Sequence, residues 1–327
     1  MRTIHKIFFD AYQPGLVYLV AAILNKIGRE EISVFIPAIP SNINNEKSVQ
    51  NIVYDLPMPG VMDSQNEEKI YILGIGPKNQ DEEEFMLTFL ERHQGSVVFC
   101  LDNHSWSKSG WEQARKYCLM KRYDLSAIGA MMALKNWYPI PISWQMVEKS
   151  LSSKKEATIF ENPTAKRYFL SLEVSWTMDQ HLDNNYYVQT FWNIVQEIAD
   201  GKNNAEISCL ADLGLLARQE AEEAINRLSD DSPHFAEAKL VKRPVGYLKL
   251  GEVGEYTDIT GILEEGIKKF PWLVILDYSI KGKEYLSGRS KEIDIDDILN
   301  YYFQLNLSKD NVLKCINAEI IRSFVNA

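Results

Sequence analysis

Cysteine is sparse and unpatterned in this chain. The four present, Cys100, Cys118, Cys209 and Cys315, form no CxxC. That spacing speaks against a zinc site, and a disulfide framework does not suit a chain of 327 residues. Long apolar runs are missing as well. No stretch approaches the ~18 apolar residues a membrane span needs. The apolar part of MRTIHKIFFDAYQPG is too short for the h-region of a secretory signal. Basic charge is in deficit: 35 Lys and Arg stand against 45 Asp and Glu, a net charge of -10. This balance argues against a nucleic-acid backbone as the main partner, although a local basic groove remains compatible with it. The expectation is a cytoplasmic protein with reduced thiols and no membrane association.

Several catalytic signatures are also missing. There is no G-x-x-x-x-G-K-[ST], so no P-loop, and no G-x-S-x-G nucleophile elbow. LGIGPKN (73–79) places G-x-G after a strand but lacks the third glycine and an acid for a ribose, so it reads as a loop. Internal repeats and low-complexity tracts are not seen.

What is present is an alternation of apolar strands and helices. IHKIFFD (4–10), EISVFIPAIP (31–40), KIYILGIG (69–76) and SVVFCLD (96–102) read as strands. PGLVYLVAAILNKIGRE (14–30) and DEEEFMLTFLERHQG (81–95) read as helices, the second with an acidic first turn that suits the helix dipole. The pattern predicts α/β architecture: a parallel sheet flanked by helices, with a second, smaller α/β domain. From about residue 111 the reading turns helical, through WEQARKYCLMKRY, LSAIGAMMALKNW, SWQMVEKSLSSK, YVQTFWNIVQEIADG and a long amphipathic segment at about 206–231. Length favours two domains, since one core rarely grows beyond ~250 residues. The expected division is 1–205 as the larger domain, 206–234 as connecting helix and linker (SDDSPH, 229–234), and 235–327 as the smaller domain. In the last, a helix around 258–269 and a final helix in SKDNVLKCINAEIIRSFV are expected.

In parallel sheets ligands sit at the carboxyl ends of strands. Three ends offer candidates: Asp10, Gly74 to Gly76, and Asp102 to His104. Asp102 and His104 are two residues apart, so an extended chain points both to one side. They suit a shared divalent cation. The alternative is that Asp102 caps a turn, Asn103 supports it, and His104 bonds to a neighbour. A two-metal centre needs several acids and histidines converging, and the other ends supply one acid, Asp10, and then glycines.

The order of elements resembles the DHH phosphoesterase superfamily, which has a parallel-sheet N-terminal domain and a smaller C-terminal domain. Its first motif, H-x-D-x-D-G, matches FFDAYQPG (8–15). Asp10 survives there. Tyr12 or Pro14 stands in place of the second aspartate, and Phe8 or Phe9 in place of the histidine. The second motif, a strand-end aspartate, falls on ILGIGPKN, with Gly74 in the acid's place. The D-H-H motif becomes Asp102-Asn103-His104, and Asp179 is the candidate for the fourth acid. In the smaller domain YLSGRSKEIDIDDIL (285–299) is similar to the family's S-x-R-S strand, which implies Arg289, Ser290 and Lys291 as a phosphate-binding set. The glycine- and histidine-rich stretch that follows in the family is missing from NYYFQLNLSKD (300–310).

The resemblance implies one of two things. With its ligands depleted, the chain is a decayed phosphoesterase without a cofactor. It then binds a nucleotide, a nucleic-acid end or a protein partner, as some relatives do in replication or recombination complexes. Alternatively it is an active phosphoesterase using manganese or magnesium on short oligonucleotides, cyclic dinucleotides or polyphosphate. Asp10, Asp102 and His104 would then be metal ligands and catalytic residues. A third possibility is a scaffold recruited through the aromatic stretch NWYPIPISW (136–144) and the long helix. KLVKRPVGYLKL (239–250) is locally basic and reads as an exposed edge, or, with Lys242, Arg243, Arg289 and Lys291, as a phosphate-binding face.

Overall fold

The computed structural model describes residues 3–10, 13–27, 32–37, 67–102, 106–123, 126–134, 140–153, 155–182, 186–228, 245–270 and 273–289. Tyr12, Asn103, His104, Lys242, Arg243, Ser290, Lys291, the 229–234 linker and the expected final helix lie outside these residues. The chain divides into two compact units, one of residues 1–172 with 187–208, the other of 173–186 with 209–327.

The first unit is built on a five-stranded sheet in which every pairing is parallel. Its strands are β1 (Thr3–Phe9), β2 (Ile32–Pro37), β3 (Glu67–Leu73), β4 (Val97–Asp102) and β5 (Leu119–Arg122), in the spatial order β2-β1-β3-β4-β5. Alternate residues feed opposite faces, as a pleated strand requires. Ile7, Phe9, Tyr71, Leu73, Phe99 and Leu101 enter one core, with α1 (Leu16–Ile27), α4 (Ala127–Met132), α5 (Ile142–Leu151) and α8 (Tyr186–Asp200). Phe8, Ile70, Ile72 and Cys100 enter the other, with α2 (Gln80–Arg92) and α3 (Lys108–Tyr117). Burial on both faces explains why β1, β3 and β4 read as apolar runs.

Two readings need correction. The segment WEQARKYCLMKRY is not one helix. It stops at Tyr117, and Leu119–Arg122 forms β5 at the edge of the sheet. In β5 Met120 alone is buried, so four residues give no alternation from which a strand could be read. Two further helices, α6 (Glu156–Glu161) and α7 (Pro163–Leu182), were not singled out. In α7 Leu170, Ser171 and Leu172 are consecutive and all buried. Burial all round leaves no single apolar stripe to recognise.

The second unit holds β6 (Val245–Glu252), α10 (Ile259–Lys269), β7 (Leu273–Ile280) and β8 (Lys283–Arg289). β6 and β7 are parallel, and β7 and β8 form an antiparallel hairpin. The hairpin turns at Lys281 and Gly282, both with positive φ (51° and 71°), as a two-residue turn that matches strand twist requires. Its core includes Leu248, Ile262, Val274 and Leu276, together with Ala224 and Leu228 from and just beyond α9 (Ala205–Arg227). Among the described residues no helix is long and apolar enough to cross a membrane.

Candidate strand-end site

The ladders of the first sheet continue past the strands and fix what stands at their carboxyl ends. Asp10 N–H donates to Leu73 O at 3.0 Å, Gly74 N–H to Leu101 O at 2.8 Å, and Tyr123 N–H to Asp102 O at 3.1 Å. Asp10, Gly74, Asp102 and Tyr123 therefore stand in a row across neighbouring strands.

Gln13 ties this row together. Its Nε2 donates to Asp10 Oδ2 and to Gly74 O, both at 2.9 Å. Its Oε1 accepts from Tyr123 OH at 2.8 Å. Burial pushes the Tyr123 phenol up from its ordinary value, and the charges of Asp102, Asp10 and Glu148 push the same way. Tyr123 therefore stays a neutral donor.

Asp102 is fully buried. A Cβ added at Gly76 would stand 2.0 Å from Asp102 Oδ1 and 2.4 Å from Oδ2, so the backbone at Gly76 lies directly over the carboxylate. Gly74 has φ +69°, and a Cβ there would meet Leu16 Cδ1 at 2.7 Å and Gln13 Nε2 at 2.9 Å. Both glycines of LGIG thus serve close packing at the site.

A third acid, Glu148 of α5, is also fully buried. Its carboxylate accepts from Ala127 N–H and Ser126 Oγ, each at 2.7 Å, and so caps α4. Burial raises its affinity for a proton, while those hydrogen bonds oppose the rise.

Beyond the ends of β3 and β4, an open pocket of about 400 Å³ is lined by Lys78, Asn79, Gln80, Glu83, Ser107 and Ser109. Asn79 caps α2 by accepting from Glu82 N–H at 2.9 Å. Ser107 caps α3, its Oγ accepting from Gly110 N–H at 2.9 Å. Glu83 spans the pocket, accepting from Ser107 N–H at 2.7 Å and from its hydroxyl at 2.6 Å. The lining therefore carries both signs of charge.

The residues expected from the sequence separate as follows. Asp10 and Asp102 stand at the ends of β1 and β4, with β3 between them, while His104 lies outside the described residues. Phe8 and Phe9, where the resemblance would put a histidine, are core residues: Phe8 meets Phe89 edge-on at 5.4 Å, and Phe9 stacks on Phe191 at 5.0 Å. Asp179 accepts a hydrogen bond from Tyr186 N–H at 2.6 Å, capping the start of α8. In the second unit Arg289 Nη1 donates to Glu264 Oε1 at 2.9 Å, so its guanidinium is already ion-paired on an exposed surface. In the aromatic stretch Trp144 packs on the first core and meets Tyr18 at 5.7 Å, while Ile142 is exposed.

Sequence reasoning missed Gln13, Tyr123 and Glu148. Gln13 lies inside the quoted FFDAYQPG, but an amide there carried no recognised chemistry. Tyr123 and Glu148 needed the parallel β5 and the α4–α5 packing to bring them in. Among the described residues no group of three or more His, Cys, Asp or Glu could hold a metal ion. Among the described residues, Asp102 is covered and Asp10 is engaged by an amide, so these two donors do not fit a pair of divalent ions. No protein-family model matches the chain, and no curated protein matches it.

Proposed function

We propose that this chain is a non-catalytic binding subunit on a phosphoesterase-like scaffold, acting in the cytoplasm on a phosphate-containing ligand or a protein partner. The observation that carries this reading is the cover over Asp102. A carboxylate that serves as base or as ligand of a hydrolytic metal must reach the reacting atoms. Asp102 lies fully buried under the Gly76 backbone instead. The core placement of Phe8 and Phe9 points the same way.

The pocket beyond β3 and β4 supports binding without chemistry. Lys78 and the N-termini of α2 and α3 attract anions, while Glu83 takes up part of that potential. A ligand that mixes phosphate with polar groups, or a loop of a partner, suits such a lining better than bare phosphate.

The test is hydrolysis. Purified protein is incubated with manganese or magnesium and short oligonucleotides, cyclic dinucleotides or polyphosphate. The expected result is no turnover above the metal-only blank, for wild type and Asp102→Ala alike. Turnover that Asp102→Ala abolishes would establish the active phosphoesterase instead.

A further inference from the structure

We propose that Gln13 is the resident occupant of the place a divalent cation would take at the strand ends, and that it makes this site indifferent to metal. The inference rests on the non-catalytic reading above and adds how the site is kept metal-free.

Hard cations are held by carboxylate and backbone carbonyl oxygens. At the strand ends Asp10 Oδ2 and Gly74 O are two oxygens of this kind. Each lies 2.9 Å from the same atom, Gln13 Nε2. An amide NH₂ has two protons, one for each of these acceptors. The other end of the amide, Oε1, accepts from Tyr123 OH at 2.8 Å. The two acceptor oxygens fix which way round the amide sits, since the Tyr123 hydroxyl can donate or accept. Reversed, Oε1 would face two acceptors and Nε2 would face a hydroxyl. The glycine at position 74 completes the arrangement, because a Cβ there would come 2.9 Å from Nε2. The NH₂ group supplies to Asp10 Oδ2 and Gly74 O the positive partial charge that an ion would otherwise bring.

The isosteric change Gln13→Glu tests this. It places a carboxylate oxygen where Nε2 stood, 2.9 Å from Asp10 Oδ2. Two carboxylates at that separation need a shared proton or a cation between them. Wild type, Gln13→Glu and the double variant Gln13→Glu/Asp10→Asn are melted at about pH 8 in EDTA and in a manganese series. Free manganese is followed by electron paramagnetic resonance.

The wild-type Tm is expected to stay constant across the series, with the free-ion signal undiminished. Gln13→Glu is expected to melt about 5 °C lower in EDTA and to recover saturably with manganese. The double variant is expected to lose that recovery. Depletion of free manganese by wild type, reversed by Asp10→Asn, would overturn the proposal. So would a folded Gln13→Glu that melts like wild type in EDTA. If Gln13→Glu does not fold, the wild-type resonance titration decides alone. Metal-dependent hydrolysis by wild type refutes the non-catalytic reading itself, whereas a metal-indifferent Gln13→Glu in an inert protein refutes the role of Gln13 alone.

Discussion

A methyl group at position 76 would stand 2.0 Å from Asp102 Oδ1. Gly76→Ala must therefore displace a buried carboxylate, and overpacking of this kind costs about 1–3 kcal/mol. Urea unfolding measures it; an unchanged midpoint would mean that Asp102 does not lie against Gly76. Glu148 gives a pH signature. Burial raises its folded pKa above the unfolded value of about 4.3, so the folded state binds the extra proton in the window between the two. Its contribution is fully present below the unfolded pKa and is lost as pH rises through the folded one. Gln at this position can still accept from Ala127 N–H and donate to Ser126 Oγ, but it does not titrate. The stability difference, wild type minus Glu148→Gln, is expected to be more favourable to wild type at pH 5 than at pH 8. A flat or inverted difference in urea titrations at the two values would contradict this. Such residues were hard to foresee: Glu148 looked like one more charged helix position, and its role exists because α5 delivers it to the start of α4.

At the scale of elements, α7 and α8 are clamped where Arg167 forks onto Glu197, at 2.7 and 2.6 Å, and Tyr168 OH adds a third bond at 2.8 Å. Burial works against the Glu197 charge, yet the bonds from Arg167, Asn204 N–H and Tyr168 outweigh it and hold the carboxyl below its usual range. Removing the buried carboxylate strands a part-buried guanidinium, so Glu197→Ala is expected to cost about 3 kcal/mol by chemical unfolding. A loss under about 1 kcal/mol would mean the fork is ordinary surface pairing. The main strands and helices were legible because their apolar runs are long and end in glycine, proline or polar clusters. β5 was not, because one buried residue in four carries no period. α7 escaped because its burial is spread around the helix rather than confined to a stripe.

At the scale of the molecule, the second unit's core takes in Ala224 and Leu228. A fragment starting at residue 235 lacks both. It is expected to show no cooperative thermal transition by circular dichroism, whereas a fragment extended back to residue 173, which holds the whole second unit and α9, shows one. Equal behaviour of the two would mean that α9 contributes nothing to that core. The α/β architecture was readable from alternation alone. The state of the site was half readable: Asp10 and Asp102 stood out in the sequence as strand-end acids, but the cover over Asp102 and the bridge made by Gln13 depend on contacts between different strand ends. That state is tested most directly by anomalous diffraction at the manganese edge from crystals soaked in manganese. The account predicts no peak within coordinating distance of Asp10 and Asp102, and a peak bridging their carboxylates would contradict it.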